Sequence, residues 1–314
     1  MALTLIENFR AVFYTPFYAA FALNAYEAEG VEVQRVMSTT PAETAQALRS
    51  GRGDVAWGGP IRLLLDNNQR PDSDFVIFCE VVRRDPFFLV GREPKPDWEL
   101  SDLVHGRVAT VSEVPTPWLC LQHDMRLAGL DPTQVKRIAD RSMPDNLAAL
   151  RAGDIDVMQA FQPFVEQALE SGGHIWYAAA SRGLTAYTSL YTTRQCLARD
   201  PEGLLRLTRA MYRTQQWIAT HSAADLAACV AAFFPDLPRP TLTAALERYQ
   251  TLRLWNRTPM LQPQGLAWLD AACRSGGSIQ RSVPYETCVD MRFAAQVIQE
   301  TPPVCQDDSG HERL

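Results

Sequence analysis

The amino-acid sequence predicts an α/β protein of two lobes followed by a helical block. Three features predict it. Strand-like and helix-like segments alternate in two separate series; a charged, proline-rich stretch, Gly91-Arg92-Glu93-Pro94-Lys95-Pro96-Asp97, divides them; and strand patterns cease after about residue 200. The chain has 314 residues, 46% hydrophobic and 21% charged. That is enough for two cores, since single cores stop growing near ~250–300 residues.

In the first series, residues 3–8 are apolar and extended. Residues 16–29 have helix length and end at Gly30, a residue suited to the position just past a helix. Residues 31–36 alternate with period two, as a half-buried strand does. Thr40-Pro41-Ala42-Glu43 then supplies a cap, a proline at the first helical position and an acid in the first turn, opening a helix that runs to Ser50-Gly51. A short strand over 54–57 is closed by Gly58-Gly59-Pro60, and 61–67 starts another helix. Such β-α-β units predict a parallel sheet with right-handed crossovers. Two more strands are expected over 75–82 and 86–90.

The second series follows the linker. Strands are expected over 107–111, 135–139, 156–160 and 175–179, with helices over 117–128, 145–152 and 164–171, and a further extended segment over 187–193. Helices alone are expected beyond, over 201–220, 223–234, 241–252, 263–274 and 285–299. The tail from 301 is polar and unpatterned and is expected to be disordered.

Composition excludes several functions. Thirty basic against thirty-six acidic side chains give a net charge of −6, so no nucleic-acid partner is expected. No apolar run approaches the ~18 residues that span a bilayer, and no membrane insertion is expected. Residues 1–8 pass straight into a strand pattern without the basic and apolar regions of an export signal. The chain as written is therefore expected in the cytoplasm, and in the periplasm if a signal peptide precedes it. Seven cysteines, at 79, 120, 196, 229, 273, 288 and 305, lack C-x-x-C spacing and read as buried free thiols. The histidines at 105, 123, 174, 221 and 311 show no metal-binding spacing. Neither metal nor cofactor is expected. No nucleophile elbow, phosphate loop or dinucleotide fingerprint occurs.

What recurs is a set of polar and aromatic residues just past the carboxyl ends of expected parallel strands, where open α/β sheets bind ligands. Asn8, Arg10 and Tyr14 follow the first strand; Trp57, Gly58 and Gly59 close the third. In the second series Ser112, Thr116 and Trp118 precede or open a helix, Arg141 follows the next strand, and Phe161 and Gln162 the one after; Tyr187 opens the returning segment. The aromatic residues offer stacking area, and Arg10 and Arg141 could meet a carboxylate, sulfonate or phosphate. Each is also compatible with a core aromatic or a helix cap. Trp57 shares a strand face with Val55, yet at the strand's carboxyl end it is expected to turn to the cleft.

Several segments carry a family resemblance. Phe17-Tyr18-Ala19-Ala20 with Tyr26-Glu27-Ala28-Glu29-Gly30-Val31-Glu32-Val33, then Ala47-Leu48-Arg49-Ser50-Gly51-Arg52-Gly53-Asp54-Val55, then Ala148-Ala149-Leu150-Arg151-Ala152-Gly153-Asp154-Ile155-Asp156-Val157 and Phe161-Gln162-Pro163-Phe164 occur in a shared order and spacing. Together they resemble the SsuA/NMT1-like family of nitrate, sulfonate and thiamine-precursor binding proteins, over roughly residues 3–295. The resemblance implies the two-lobed type II periplasmic-binding-protein fold with a helical C-terminal block. It implies lobe I from 1–88 with 187–314 and lobe II from 89–186, hinged near Gly91 and Arg182-Gly183. It also implies capture of a small organic ligand, aromatic or anionic, for an ABC permease. Glu166 falls where pyrimidine-binding relatives place a ligand-contacting acid, and equally fits an exposed helix position. The alternative is a cytosolic enzyme of thiamine-pyrimidine or related metabolism on the same fold. The enzymatic relatives carry cysteine or histidine in the first strand–helix loop, and here residues 8–16 hold neither.

Overall fold

A computed structural model of the protein describes residues 2–112 and 114–306. Ten strands divide into two five-stranded sheets. The first contains β1 (Ala2–Glu7), β2 (Glu32–Met37), β3 (Val55–Gly58) and β4 (Phe75–Val82). The second contains β5 (Phe88–Gly91), β6 (Arg107–Ala109), β7 (Lys136–Ile138), β8 (Val157–Ala160) and β9 (His174–Ala178). The chain then returns as β10 (Thr188–Thr193) to complete the first sheet. The orders are β2-β1-β3-β10-β4 and β7-β6-β8-β5-β9.

The expected parallel pairings occur among β1, β2 and β3 and among β6, β7 and β8. The sheets as wholes are mixed, which the sequence reading did not anticipate. β10 runs antiparallel to β3 and β4, and β5 antiparallel to β8 and β9. These are the strands that arrive from the other sheet through short connections, without the helical crossover that a parallel neighbour requires. The connections are residues 83–87 and 179–187. Arg182-Gly183 lies in the second, but Gly91 ends β5 and is not at a crossover. Phe88, read from the sequence as the last residue of the first lobe, already opens the second sheet.

Local chemistry explains the element ends. Thr40 caps the helix Pro41–Arg49, its hydroxyl accepting from Glu43 N at 3.1 Å, with Pro41 at the first position. The helix expected over 16–29 is two pieces, Thr15–Ala22 and Ala25–Ala28, because Asn24 adopts φ 49° between them. The helix expected over 285–299 is likewise split into Tyr285–Cys288 and Arg292–Glu300; between them Asp290 N donates to Ile77 O at 2.8 Å.

That last bond is part of a larger arrangement. β4 is an edge strand, yet all eight of its residues are buried. The C-terminal block covers the edge: Glu80 N donates to Pro259 O, Asn256 N to Val81 O and Arg83 N to Leu254 O, at 2.8–3.1 Å. Residues 301–306, expected to be disordered, pack instead on the helix Pro201–Thr220. There Arg213 Nε donates to Pro303 O at 2.8 Å and Cys305 is buried. The rest of the expected disordered tail, 307–314, lies outside the described residues.

The two sheets are also tied at their connections. Arg182, 5% exposed, donates to Asp85 Oδ2 at 2.5 Å, and its Nε donates to Asp124 Oδ2 at 2.9 Å. Asp85 belongs to the first connection, Arg182 to the second and Asp124 to the helix Thr116–Leu127 on the second sheet. One buried cation thus joins both connections to a lobe.

Candidate ligand-binding cleft

A cavity of about 610 Å³ opens between the carboxyl ends of the parallel strands of the two sheets. The first sheet's side contributes the loop after β1 (Asn8, Phe9, Arg10, Phe13, Tyr14), the residues that open the helix Pro41–Arg49, and Gly59, Ile61 and Arg62 after β3. The second sheet's side contributes Val114, Pro115 and Thr116, Met143 and Pro144, and Phe161 and Phe164, each at or next to a helix start. Tyr187, the last residue of the second connection, and Thr188, the first of β10, complete the lining.

Aromatic rings form one connected wall across both sheets. Phe13 meets Phe161 at 5.7 Å and Tyr187 at 6.1 Å between centroids, edge to face in each case. Phe9 lies 5.4 Å from Tyr14 and 6.5 Å from Phe161. Burial pushes the Tyr14 phenol well above its usual range, so it stays neutral; it hydrogen-bonds Thr188.

The polar floor is organised by Asn8. Its Oδ1 accepts from Arg62 Nη1 at 2.6 Å, from Thr44 Oγ1 at 3.0 Å and from Ser38 Oγ at 3.4 Å, while its Nδ2 donates to Trp57 O at 2.6 Å. Asn8 therefore fixes the Arg62 guanidinium from one side, and the Tyr191 side chain hydrogen-bonds Arg62 as well. Gly58 lies beneath this pair: a Cβ there would come within 3.3 Å of Asn8 Nδ2 and 3.5 Å of Arg62 Cζ. Arg10 sits at the rim. Its Nη1 donates to Phe233 O at 3.1 Å and its Nε lies 3.8 Å from Glu7 Oε1. Both charged residues of the lining are arginines, and among the described lining residues there is no carboxylate, cysteine, histidine, lysine or serine.

The structure thus brings together Asn8, Arg10, Tyr14, Gly59, Thr116, Phe161 and Tyr187 from the residues singled out in the sequence. The others stand elsewhere. Trp57 is fully buried and stacks on Phe17, centroids 4.5 Å apart and planes 14° from parallel, so it faces the core of the first lobe and not the cleft. Trp118 packs in the second lobe's core with Arg137 4.7 Å over its ring. Gln162 and Glu166 are buried and satisfy each other: Gln162 Nε2 donates to Glu166 Oε1 at 2.6 Å, and Arg248 Nε donates to the same oxygen at 2.7 Å. Glu166 is therefore neither an exposed helix residue nor part of the cavity wall. Ser112 is exposed and Arg141 half-buried, both outside the lining. Arg62 was missed. It sits at the second position of a helix whose apolar spacing alone drew notice, and only its position after a Gly-Gly-Pro strand end marked it.

Two mixed sheets with a ligand-sized cleft between them define the type II periplasmic-binding-protein fold. The chain belongs to the NMT1-like family, whose model matches residues 9–232. It is similar to YtlA of Bacillus subtilis (strain 168), 22% identical over 297 residues that cover 94% of this chain and 89% of YtlA. The periplasmic aliphatic sulphonate binding protein SsuA from Escherichia coli is 18% identical with a TM-score of 0.69, the match covering 90% of this chain and 94% of SsuA. The desulfurization enzyme DszB shares the fold equally, at 15% identity and TM-score 0.69, covering 96% of this chain and 99% of DszB. The fold alone therefore does not separate binding from catalysis. No helix among the described residues is long and apolar enough to cross a membrane.

Proposed function

We propose that the protein is a solute-binding protein that captures a small organic anion with an aromatic or otherwise apolar body, and delivers it to an ABC-type permease. One observation carries the reading: the cavity has an aromatic wall and two arginines, with no carboxylate among its described lining residues and, of all described residues, only Glu7, behind Arg10, within ion-pair distance of either. Helices that begin at Pro41, Ile61, Thr116, Met143 and Phe164 each place their first turn at the lining, and the partial positive charge of those ends favours an anion further. The volume suits a ligand of drug-like size rather than a bare inorganic ion. Binding is favoured over turnover because the described lining holds no cysteine, serine, lysine, histidine or carboxylate that could act as, or activate, a nucleophile. The similarity to YtlA and SsuA supports the same reading.

The test is a thermal-shift panel of aromatic and aliphatic sulfonates, carboxylates and phosphates beside neutral analogues, including pyrimidines. Anionic members are expected to raise the melting temperature saturably, through preferential binding to the folded state. Stabilisation by neutral members alone, or chemical conversion of a bound member, would overturn it.

A further inference from the structure

Away from the cleft, four arginines gather where β4 ends against the C-terminal block. Arg83 and Arg84 begin the first connection between the sheets; Arg253 and Arg257 flank the segment that pairs with β4. Arg83 Nε donates to Arg253 O at 3.3 Å. Arg84 Nη1 donates to Leu252 O at 3.2 Å and lies 3.5 Å from Ala180 O in the second connection. Arg253 and Arg257 are exposed and line a small recess of about 80 Å³ together with Gln215, Gln250 and Asn256.

Among the described residues, none of the four forms an ion pair with a carboxylate, although the protein carries a net charge of −6. Arg84 Nε is buried without an acceptor. The guanidinium of Arg83 is pulled below its ordinary range by burial and by the charges of Arg84, Arg257 and Arg253. The neighbouring carboxyl, Glu80, opposes this shift, although burial pushes it up to about 8. The guanidinium groups of Arg83 and Arg84 thus donate to backbone carbonyls rather than to carboxylates, and a multiply charged anion would relieve the like charges beside them.

We propose that Arg83, Arg84, Arg253 and Arg257 form a second anion site, distinct from the cleft, that takes a phosphate-type polyanion. Arg253 and Arg257 line the recess that would receive a phosphoryl group, and Arg83 and Arg84 stand behind it on the carbonyls of residues 253 and 252. The site touches both the first connection and, through Arg84, the second, so its occupancy bears on the segments that link the lobes.

Pyrophosphate serves as the probe, with chloride at matched ionic strength as reference, followed by calorimetry and thermal shift. Wild type and Arg126→Gln, an exposed arginine outside both the cleft and the recess, are expected to bind pyrophosphate alike. The double variant Arg253→Gln with Arg257→Gln, both exposed, is expected to bind about 10- to 100-fold more weakly, from the loss of charge-assisted hydrogen bonds. Stabilisation no greater than that by chloride would overturn the site, as would unweakened binding in the double variant. The cleft is tested separately, by organic anions and Arg62→Gln, so failure here leaves its reading untouched.

Discussion

Replacing Arg62 by Gln tests the cleft most directly. In the native protein one N–H of Arg62 is committed to Asn8 Oδ1 at 2.6 Å and the side chain also hydrogen-bonds Tyr191, at the lining of a cavity whose only other described charge is Arg10 at the rim. Glutamine keeps a polar side chain of shorter reach and removes the charge. A charge-assisted hydrogen bond contributes about 1.5–3 kcal/mol, so an anionic ligand should bind roughly 10- to 150-fold more weakly. Fold stability should change by no more than about 1 kcal/mol, because Asn8 Oδ1 retains Thr44 and Ser38 as donors. Calorimetric titration of a stabilising sulfonate or carboxylate, beside its uncharged amide, reads both effects. The amide should lose little affinity. Equal losses for acid and amide would show that Arg62 shapes the cavity without reading charge; an unchanged Kd for the acid would remove it from the site.

Three further outcomes follow from the packing. Trp57→Phe should destabilise the protein by about 1–3 kcal/mol in denaturant unfolding, since it shrinks a buried ring stacked on Phe17, and should leave ligand affinity nearly unchanged. Arg182→Met should cost about 3–5 kcal/mol, because Asp85 and Asp124 lose their shared cation; Asp85→Asn in the same background should recover part of it. Glu80→Gln should change the pH dependence of stability. Burial holds the Glu80 carboxyl at about 8 in the folded protein, above its unfolded value, so the folded state holds the proton more tightly. Its stabilising contribution is complete below pH 4.5 and is lost as pH rises to 8, with a total on the order of 3–5 kcal/mol. The Gln variant should therefore show a flatter profile and exceed wild type above pH 8, as chemical denaturation across pH would report.

Much of the fold was legible because apolar spacing and end signals coincide. Pro201–Thr220 carries a proline at its first position, an Asp200 cap accepting from Gly203 N at 2.9 Å and a long apolar stripe, and both its ends were readable. The split helices were not. Asn24 in a left-handed conformation and the Asp290 N bond to Ile77 O are decided by tertiary contacts, which leave no periodic trace in the sequence. Sheet direction was hidden for a related reason. A strand's alternation is the same whichever way it runs, and β10 reads antiparallel only once its partners β3 and β4, more than a hundred residues away, are known.

The cleft shows the same division at finer scale. Strand ends can be found from sequence, and the rule that ligands bind beyond them led to Asn8, Tyr14, Thr116 and Phe161, all at the cavity. Direction of a side chain at such an end cannot be found this way. Trp57 and Gly59 are two residues apart; the first turns into the core against Phe17, and the second stays at the lining. What decides is the ring already waiting on the helix Thr15–Ala22, whose Phe17 covers the indole and removes it from solvent. Trp57 nonetheless reaches the site through its backbone, because its carbonyl accepts from Asn8 Nδ2 and so fixes the amide that in turn holds Arg62. The residue that appeared to be a ligand contact thus acts one bond further back. The Asn8–Arg62 contact spans 54 residues of sequence, and it exists only because β1 and β3 lie side by side. Pairing of strands, not composition of any one loop, is what assembles the charge that an anion would meet.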